Sequence, residues 1–240
     1  MAEVRRIPEL RAIFKPGNPV IIFSHGFGVE RTSAGLFQDI IEILPNSFGY
    51  VLFDYYSITG DHWSVPGINS MTSHLSRIID MMHVDGRETY VLAHSQGCTI
   101  AALAYDGTWQ GVFLAPPTRS IYKSWKQGFV KKRAGRAVID DHGDVHMTRL
   151  SDQKKMTIAS EWFEELVGNQ SYDHMRKMAS DGNLRIIEAL KDESIKDRRR
   201  YKILEQSGAK IYSINANHNF DPPHRVDLTG EIKRVLSPYS

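Results

Sequence analysis

A serine at the junction between an apolar run and a helix-like stretch constrains this chain more than any other feature of its sequence. Residues 90–92 read Tyr-Val-Leu, residues 93–97 read Ala-His-Ser-Gln-Gly, and residues 98–104 have helical character. Small residues beside a serine allow a strand to turn sharply into a helix, because bulky side chains would collide there. The pattern therefore predicts a nucleophile elbow, a turn that exposes the hydroxyl of Ser95.

Three further segments read as strands that end in chemically useful groups. Residues 20–28 are an apolar run that leads into a glycine-containing turn, whose backbone N–H groups can point at a developing oxyanion. Residues 184–189 read as a strand followed by Asp192, and residues 210–215 read as a strand followed by His218. An oxyanion site, an acid and a base are therefore predicted at strand ends.

The chain order of the candidate groups is Ser95, then Asp192, then His218. This order belongs to one lineage of serine, acid and histidine triads, and it differs from the chymotrypsin-like and subtilisin-like orders. With these residues the sequence resembles the α/β-hydrolase superfamily, and the resemblance covers nearly the whole chain. It implies an α/β fold with a mostly parallel, doubly wound sheet, in which the candidate groups meet at one edge.

The alternation of strands and helices stops after Pro117 and resumes near Asn183. We therefore expect a core domain of residues 1–117 and 179–240, with residues 118–178 inserted as a cap subdomain after the sixth sheet strand, over the active-site edge. The cap is expected to combine helices with a small β-meander. This layout resembles the insertion in cinnamoyl and feruloyl esterases.

The resemblance implies a role for each member of the candidate triad. Ser95 would attack the substrate, and His218 would take its proton, because an imidazole with an ordinary pKa of about 6.5 is neutral at pH 7. Asp192 would accept the second ring N–H and stabilise the imidazolium. His224 is an alternative base, since it lies only six residues after His218. The alternative acids are Glu188, Glu193 and Asp197.

The oxyanion is expected to be bound by two backbone N–H groups, that of Gln96 after the nucleophile and that of Phe27 after the His-Gly pair. The ring of Phe27 is also a candidate wall of the acyl pocket, and His94 is a candidate substrate contact. Aromatic residues of the predicted cap supply further apolar surface for such a pocket. The cap candidates are Tyr122, Trp125, Phe129 and Trp162.

Composition argues against several other classes of function. The 240 residues carry a formal net charge of +2, so no strong field attracts nucleic acid or an anionic membrane. Neither a signal-peptide core nor a membrane-spanning run is evident, so we expect a cytoplasmic protein without membrane insertion. No ligand cluster or phosphate-binding loop is evident, so we expect neither a metal nor a cofactor. Cys98 is the single cysteine and is expected to be buried, without an intrachain disulfide.

The sequence therefore predicts a serine hydrolase that cleaves a carboxylic ester of a small molecule through an acyl-enzyme. The same groups would serve an acyl thioester or an amide, so thioesterase and peptidase are the alternative activities. A catalytically silent receptor for a small ligand is an alternative of another class, because a fold alone does not fix a function. Slow turnover with tight retention of a ligand would identify such a receptor.

Overall fold

The structure is a computed structural model that describes residues 3–84, 86–118, 125–133, 135–195 and 198–236. Tyr122 and Asp197, two of the candidate residues, lie outside the described ranges. In chain order the strands are β1 (Arg5–Ile7), β2 (Ala12–Lys15), β3 (Val20–Ser24), β4 (Gly49–Phe53), β5 (Ser57–Thr59), β6 (His62–Val65), β7 (Thr89–His94), β8 (Gln110–Leu114), β9 (Ala137–Ile139), β10 (Val145–Thr148), β11 (Lys155–Ile158), β12 (Leu184–Ala189) and β13 (Lys210–Ile214).

Helices separate many of these strands. In chain order they are α1 (Leu36–Glu42), α2 (Ile68–Val84), α3 (Gln96–Leu103), α4 (Trp125–Lys131), α5 (Ser160–Leu166), α6 (Ser171–Ser180), α7 (Arg199–Gln206) and α8 (Arg225–Leu236), with a 3₁₀ turn at Pro8–Leu10. Across the residues that the structure describes, none of the helices has the combination of length and apolar composition needed to cross a membrane.

The larger sheet contains eight strands in the order β1-β2-β4-β3-β7-β8-β12-β13. The strands from β4 to β13 in this order pair parallel with their neighbours, whereas β2 pairs antiparallel with both β1 and β4 at one edge. This arrangement confirms the predicted α/β class and its mostly parallel sheet. Along the chain, β8 is the sixth strand of this sheet, and β9, β10 and β11 of a second sheet follow it.

The central strands β3, β7 and β8 are buried on both faces, as expected for a parallel sheet that helices cover on each side. All five residues of β3 are buried, and successive side chains point to opposite faces. Ile21 and Phe23 share a core with Phe37 of α1 and Ile232 of α8. Helix α1 contacts α8, whereas α3 contacts α6, so the helices pack in two groups.

The chain divides into two compact units, the first with the eight-stranded sheet and the second with a five-stranded sheet. The first unit comprises Met1–Asp54, Leu75–Arg119 and Gln170–Ser240, and the second comprises Tyr55–His74 and Ser120–Asn169. From the sequence we predict an insertion of residues 118–178 alone. The second unit takes in residues 55–74 as well as residues 120–169, whereas residues 170–178 belong to the first unit.

The five-stranded sheet explains why residues 55–74 belong to the second unit. Its order is β5-β6-β11-β10-β9, and β6 pairs parallel with β11, so that Trp63 is the register partner of Met156. Trp63 is fully buried, and the guanidinium of Arg149 lies 3.6 Å from the centre of its ring. This long-range pairing and the burial of Trp63 hold the earlier segment in the second unit.

Gly17 and Gly230 offer a paired test of backbone packing. A Cβ on Gly17 would lie 2.1 Å from the backbone nitrogen of Gly49, whereas a Cβ on Gly230 in α8 would meet no described group within 4 Å. We expect Gly17→Ala to lower the free energy of unfolding by about 2–3 kcal/mol, because the backbone must move. We expect Gly230→Ala to raise it by about 0.5–1 kcal/mol, because alanine loses less conformational entropy in a helix.

Urea unfolding followed by tryptophan fluorescence measures both changes. A Gly17→Ala protein as stable as the wild type would contradict the close backbone approach. Loss of stability in Gly230→Ala would contradict the open surroundings of that helical glycine.

Candidate active site

Ser95 forms the turn between β7 and α3. Its φ of 54° and ψ of −123° lie in a region that residues other than glycine rarely adopt, so the backbone is strained there. Its N–H donates to the carbonyl oxygen of Leu114 at 3.0 Å, and its own carbonyl accepts from the N–H of Cys98 at 2.9 Å. These two hydrogen bonds hold the strained turn between the strand and the helix.

Gly97 allows α3 to begin directly against β3. A Cβ on Gly97 would lie 2.2 Å from the carbonyl oxygen of Ser24, a separation too short for any side chain. The hydroxyl of Ser24 donates to the carbonyl of Gly97 at 3.0 Å. Glycine at position 97, two residues after Ser95, is therefore required by a close backbone approach.

His218 forms hydrogen bonds to Ser95 and Asp192 through its two ring nitrogens. Its Nε2 lies 2.8 Å from Oγ of Ser95, and its Nδ1 lies 2.6 Å from Oδ2 of Asp192. An ionised carboxylate can only accept, so Nδ1 carries a proton and Nε2 of the neutral ring accepts from the Ser95 hydroxyl. This is the arrangement that a histidine needs to act as a general base.

Asp192 is buried and held in its charged form. Burial alone raises the pKa of this carboxyl, but the hydrogen bond and charge of His218 and two backbone N–H groups outweigh it, so the net pKa lies below the ordinary value. Those N–H groups, from Ser194 and Ile195, donate to Oδ1 at 2.7 and 3.1 Å. One oxygen of the carboxylate is thus fixed by the backbone, and the other faces the imidazole.

The loops that carry Asp192 and His218, the candidate acid and base, are joined through their backbones. We call residues 190–195 the acid loop and residues 215–224 the base loop. The N–H of Lys191 donates to the carbonyl of Ala216 at 2.9 Å, which connects the two loops just beyond the ends of β12 and β13. Parallel pairing of those strands therefore sets the separation of the carboxylate and the imidazole.

The base loop is also braced internally. The amide of Asn217 donates to the carboxylate of Asp221 at 2.9 Å, and the N–H of Asp221 donates back to the side-chain oxygen of Asn217 at 3.0 Å. Nε of Arg225, the first residue of α8, donates to the carbonyl of Phe220 at 3.2 Å. These contacts limit the conformations of the segment that presents His218.

Residues 25–35, which we call the oxyanion loop, pass directly beside Ser95. A Cβ on Gly26 would lie 3.2 Å from Cβ of Ser95, and Phe27 is the next residue along the loop. Gln96 is the first residue of α3, where a backbone N–H has no acceptor within the helix. Both predicted oxyanion donors thus belong to segments that adjoin Ser95.

Asp54 anchors the oxyanion loop to the end of β4. Its buried carboxylate accepts from the backbone N–H of Arg31 at 2.7 Å and forms an ion pair with the Arg31 guanidinium. We did not predict this anchor from the sequence, because the two residues lie 23 positions apart and form no local pattern. In a sequence, an acid at a strand end and an arginine in a separate loop give no indication that the two side chains pair.

The alternative base and one alternative acid form other contacts. Nδ1 of His224 lies 3.8 Å from the Asp227 carboxylate, and Glu188 accepts from the hydroxyl of Ser213 at 2.6 Å. His94, predicted as a substrate contact, is buried, and its ring nitrogens face Ser33 and the backbone of His218. Of the predicted acids and bases within the described ranges, Asp192 and His218 are the pair that forms hydrogen bonds in series to Ser95.

The predicted pocket aromatics Trp125, Phe129 and Trp162 pack together within the second unit. The ring centres of Trp125 and Trp162 are 5.3 Å apart, and those of Phe129 and Trp162 are 6.3 Å apart. Phe163 completes the cluster at 4.8 Å from Trp162. Because Phe129 and Trp162 are buried, these rings contribute to the core of that unit.

Cys98 is an unreactive neighbour of Ser95. Its buried thiol donates to the carbonyl of Ala93 at 3.2 Å, and burial raises the pKa of the thiol well above its ordinary value. A thiol that stays protonated is neither a nucleophile nor a metal ligand. Among the residues that the structure describes, no group of three or more His, Cys, Asp or Glu side chains is arranged to hold a metal ion.

The buried histidines beside the site make stability depend on pH. Burial lowers the pKa of His25 and of His94 to about 4, whereas in an unfolded chain it is about 6.5. Between these values the unfolded chain binds more protons than the folded protein, so the free energy of unfolding falls as the pH falls through this window. At a pH well above 6.5 both rings are neutral in both states, and their full contribution is present.

We expect His94→Gln to reduce the slope of unfolding free energy against pH by up to about 1.4 kcal/mol per pH unit between about pH 6 and 4.5, because one such proton is removed. Urea unfolding at successive pH values measures this slope in the variant and the wild type. Equal slopes in the two proteins would contradict a buried, neutral His94.

No protein-family model matches this chain, and no curated protein matches its sequence. Several solved structures match its fold. Est1E from Butyrivibrio proteoclasticus has a TM-score of 0.67 and 15% identity over 99% of this chain and 98% of its own, and it has also been solved with ferulic acid bound.

Two further matches have other activities in their names. The monoacylglycerol lipase of Paleococcus ferrophilus has a TM-score of 0.63 and 15% identity over 99% of this chain and 100% of its own. The thioesterase domain from the curacin biosynthetic pathway has a TM-score of 0.59 and 9% identity over 99% of both chains. These likenesses confirm the fold that the sequence resemblance implies.

Proposed function

We propose that this chain, which has the α/β-hydrolase fold, is a serine hydrolase that cleaves a carboxylic ester through an acyl-enzyme. The observation that carries the proposal is the continuous set of hydrogen bonds from Ser95 through His218 to Asp192, 2.8 and 2.6 Å long. A serine hydroxyl is a weak nucleophile at neutral pH, and a hydrogen bond to a neutral imidazole activates it.

In the proposed reaction the Ser95 oxygen attacks the ester carbonyl while its proton passes to Nε2 of His218. Asp192, whose pKa lies below its ordinary value, stays ionised and stabilises the imidazolium. The N–H groups of Gln96 and Phe27 donate to the oxyanion of the tetrahedral intermediate. His218 then protonates the leaving alkoxide, and water, activated by the same imidazole, hydrolyses the acyl group from Ser95.

The solved structures with this fold support acyl compounds as the substrate class. Their names include an esterase solved with ferulic acid, a monoacylglycerol lipase and a thioesterase domain. An acyl thioester is the second candidate substrate, because the same nucleophile and oxyanion donors serve both reactions. A panel of nitrophenyl esters of different chain length, aryl esters and acyl thioesters separates these two candidates from each other and from a receptor that retains its ligand unchanged.

We expect Ser95→Ala to abolish both ester turnover and labelling by a fluorophosphonate, because the nucleophile is lost and the triad acts as a unit. The expected loss of kcat is about 10⁴-fold or more. Steady-state assays and mass spectrometry of the labelled protein measure the two effects.

The matched control is Cys98→Ala, three residues further on. Because the Cys98 thiol is buried and protonated, this variant should retain activity and label at Ser95. Labelling that persists in Ser95→Ala would show that another residue is the nucleophile.

We expect Asp192→Asn to reduce kcat by about 10³- to 10⁴-fold, because the amide no longer stabilises the imidazolium or selects the correct tautomer of His218. Glu188→Gln is the control, since Glu188 lies on the preceding strand and bonds to Ser213 instead. Kinetics on one activated ester compare the two variants. Equal losses of kcat in the two variants would contradict the assignment of Asp192, and not Glu188, as the acid.

A further inference from the structure

His94 occupies a central position between the two loops that flank Ser95. It is the last residue of β7, is 5% exposed, and directly precedes the proposed nucleophile. Its Nδ1 lies 3.2 Å from the hydroxyl oxygen of Ser33 in the oxyanion loop, and its Nε2 lies 3.0 Å from the carbonyl oxygen of His218 in the base loop. One imidazole therefore contacts both loops.

The two contacts define the tautomer of this ring. A carbonyl oxygen can only accept, so Nε2 of His94 must carry a proton and donate to His218. In a neutral ring Nδ1 then accepts the hydroxyl proton of Ser33. Burial favours the neutral form, and the ionisable groups whose charges act on the ring are His218, Asp192 and Arg225.

The rings of His94, His218 and Phe220 also pack together. The centres of the two imidazoles are 5.3 Å apart, and Phe220 meets His94 edge-on at 6.4 Å. The hydrogen bond from His94 acts on the backbone of His218, whereas the acid acts on its side chain. Asp192 thus orients the imidazole of His218, and His94 holds the main chain of the same residue.

We propose that His94 is a positioning residue, which holds the backbone of His218 and so keeps the base within hydrogen-bonding distance of Ser95. The proposal rests on the serine hydrolase function above and assigns His94 no contact with substrate. The other contacts of the base loop hold residues on either side of His218, so without the tether the main chain at His218 itself loses a restraint, and the alignment of Nε2 with the Ser95 hydroxyl is disturbed. Misplacement of a catalytic group by about 1 Å can lower a rate by about 100-fold.

Three substitutions separate the effects of the two hydrogen bonds that the His94 ring forms. His94→Phe keeps an aromatic ring but neither hydrogen bond. His94→Asn places an amide at the level of Nδ1, where it can accept from Ser33 but cannot reach the His218 carbonyl. His94→Gln places an amide at the level of Nε2, where its N–H can donate to that carbonyl.

We expect kcat of His94→Phe and His94→Asn to fall by about 10- to 100-fold, with KM changed by less than about threefold, because the base is misaligned while substrate contacts remain. His94→Gln should recover kcat to within about threefold of the wild type. Ester kinetics, the rate constant of fluorophosphonate labelling and the thermal midpoint are measured on all three variants. If His94→Gln recovers kcat and His94→Phe does not, whichever variant has the higher thermal midpoint, the loss of kcat reflects misplacement of His218 and not a general loss of stability.

Full kcat in His94→Phe or His94→Asn would overturn the proposal, as would a folded His94→Gln that is as impaired as His94→Phe. Long-range ¹H–¹⁵N spectra of the wild type provide a test without turnover. They should show His94 at pH 7 as the neutral tautomer protonated at Nε2, and a proton at Nδ1 instead would also overturn it. If the wild type neither labels nor hydrolyses esters, the proposed function fails, while the tautomer still tests the tether.

Discussion

The close approach of α3 to β3 at Gly97 is the constraint on which the candidate site depends. Because backbone meets backbone there, the helix begins directly at the end of β7, and Ser95 is left between them in a strained conformation. Strand β7 pairs with β3 on one side and with β8 on the other, and all its residues are buried. A strand held in this way cannot relax the turn, so the hydroxyl of Ser95 stays where His218 reaches it.

The sheet and the order of the candidate triad could be predicted because both follow from local patterns. Apolar runs that end at a glycine turn, at Ser95, near Asp192 and near His218 mark the ends of four parallel strands of one sheet, and the resemblance to a known superfamily implies their arrangement. The pairing of β6 with β11 could not be predicted in the same way. It joins segments far apart in the chain, and each strand is four residues long, too short for a clear alternation.

Residues that position the site were harder to predict than residues that form it. Asp54 and Ser33 lie in or beside loops, and their partners are distant in sequence, so only the folded chain reveals the contacts. His94 is predicted from the sequence as a substrate contact, and in the structure its ring nitrogens face Ser33 and the backbone of His218. Aromatic residues such as Trp162 are equally suited to a pocket wall and to a packed core, so composition alone does not separate the two roles.

The burial of Cys98 has a practical consequence for measuring motion in this protein. The chain has a single cysteine, its thiol is enclosed beside the elbow, and its raised pKa keeps it protonated. Alkylating reagents attack thiolates, so the native protein is close to inert towards maleimides. A cysteine introduced on the base loop or the oxyanion loop would thus accept a spin label or a dye at one place only, without prior removal of the native thiol, and would report the movement of that loop.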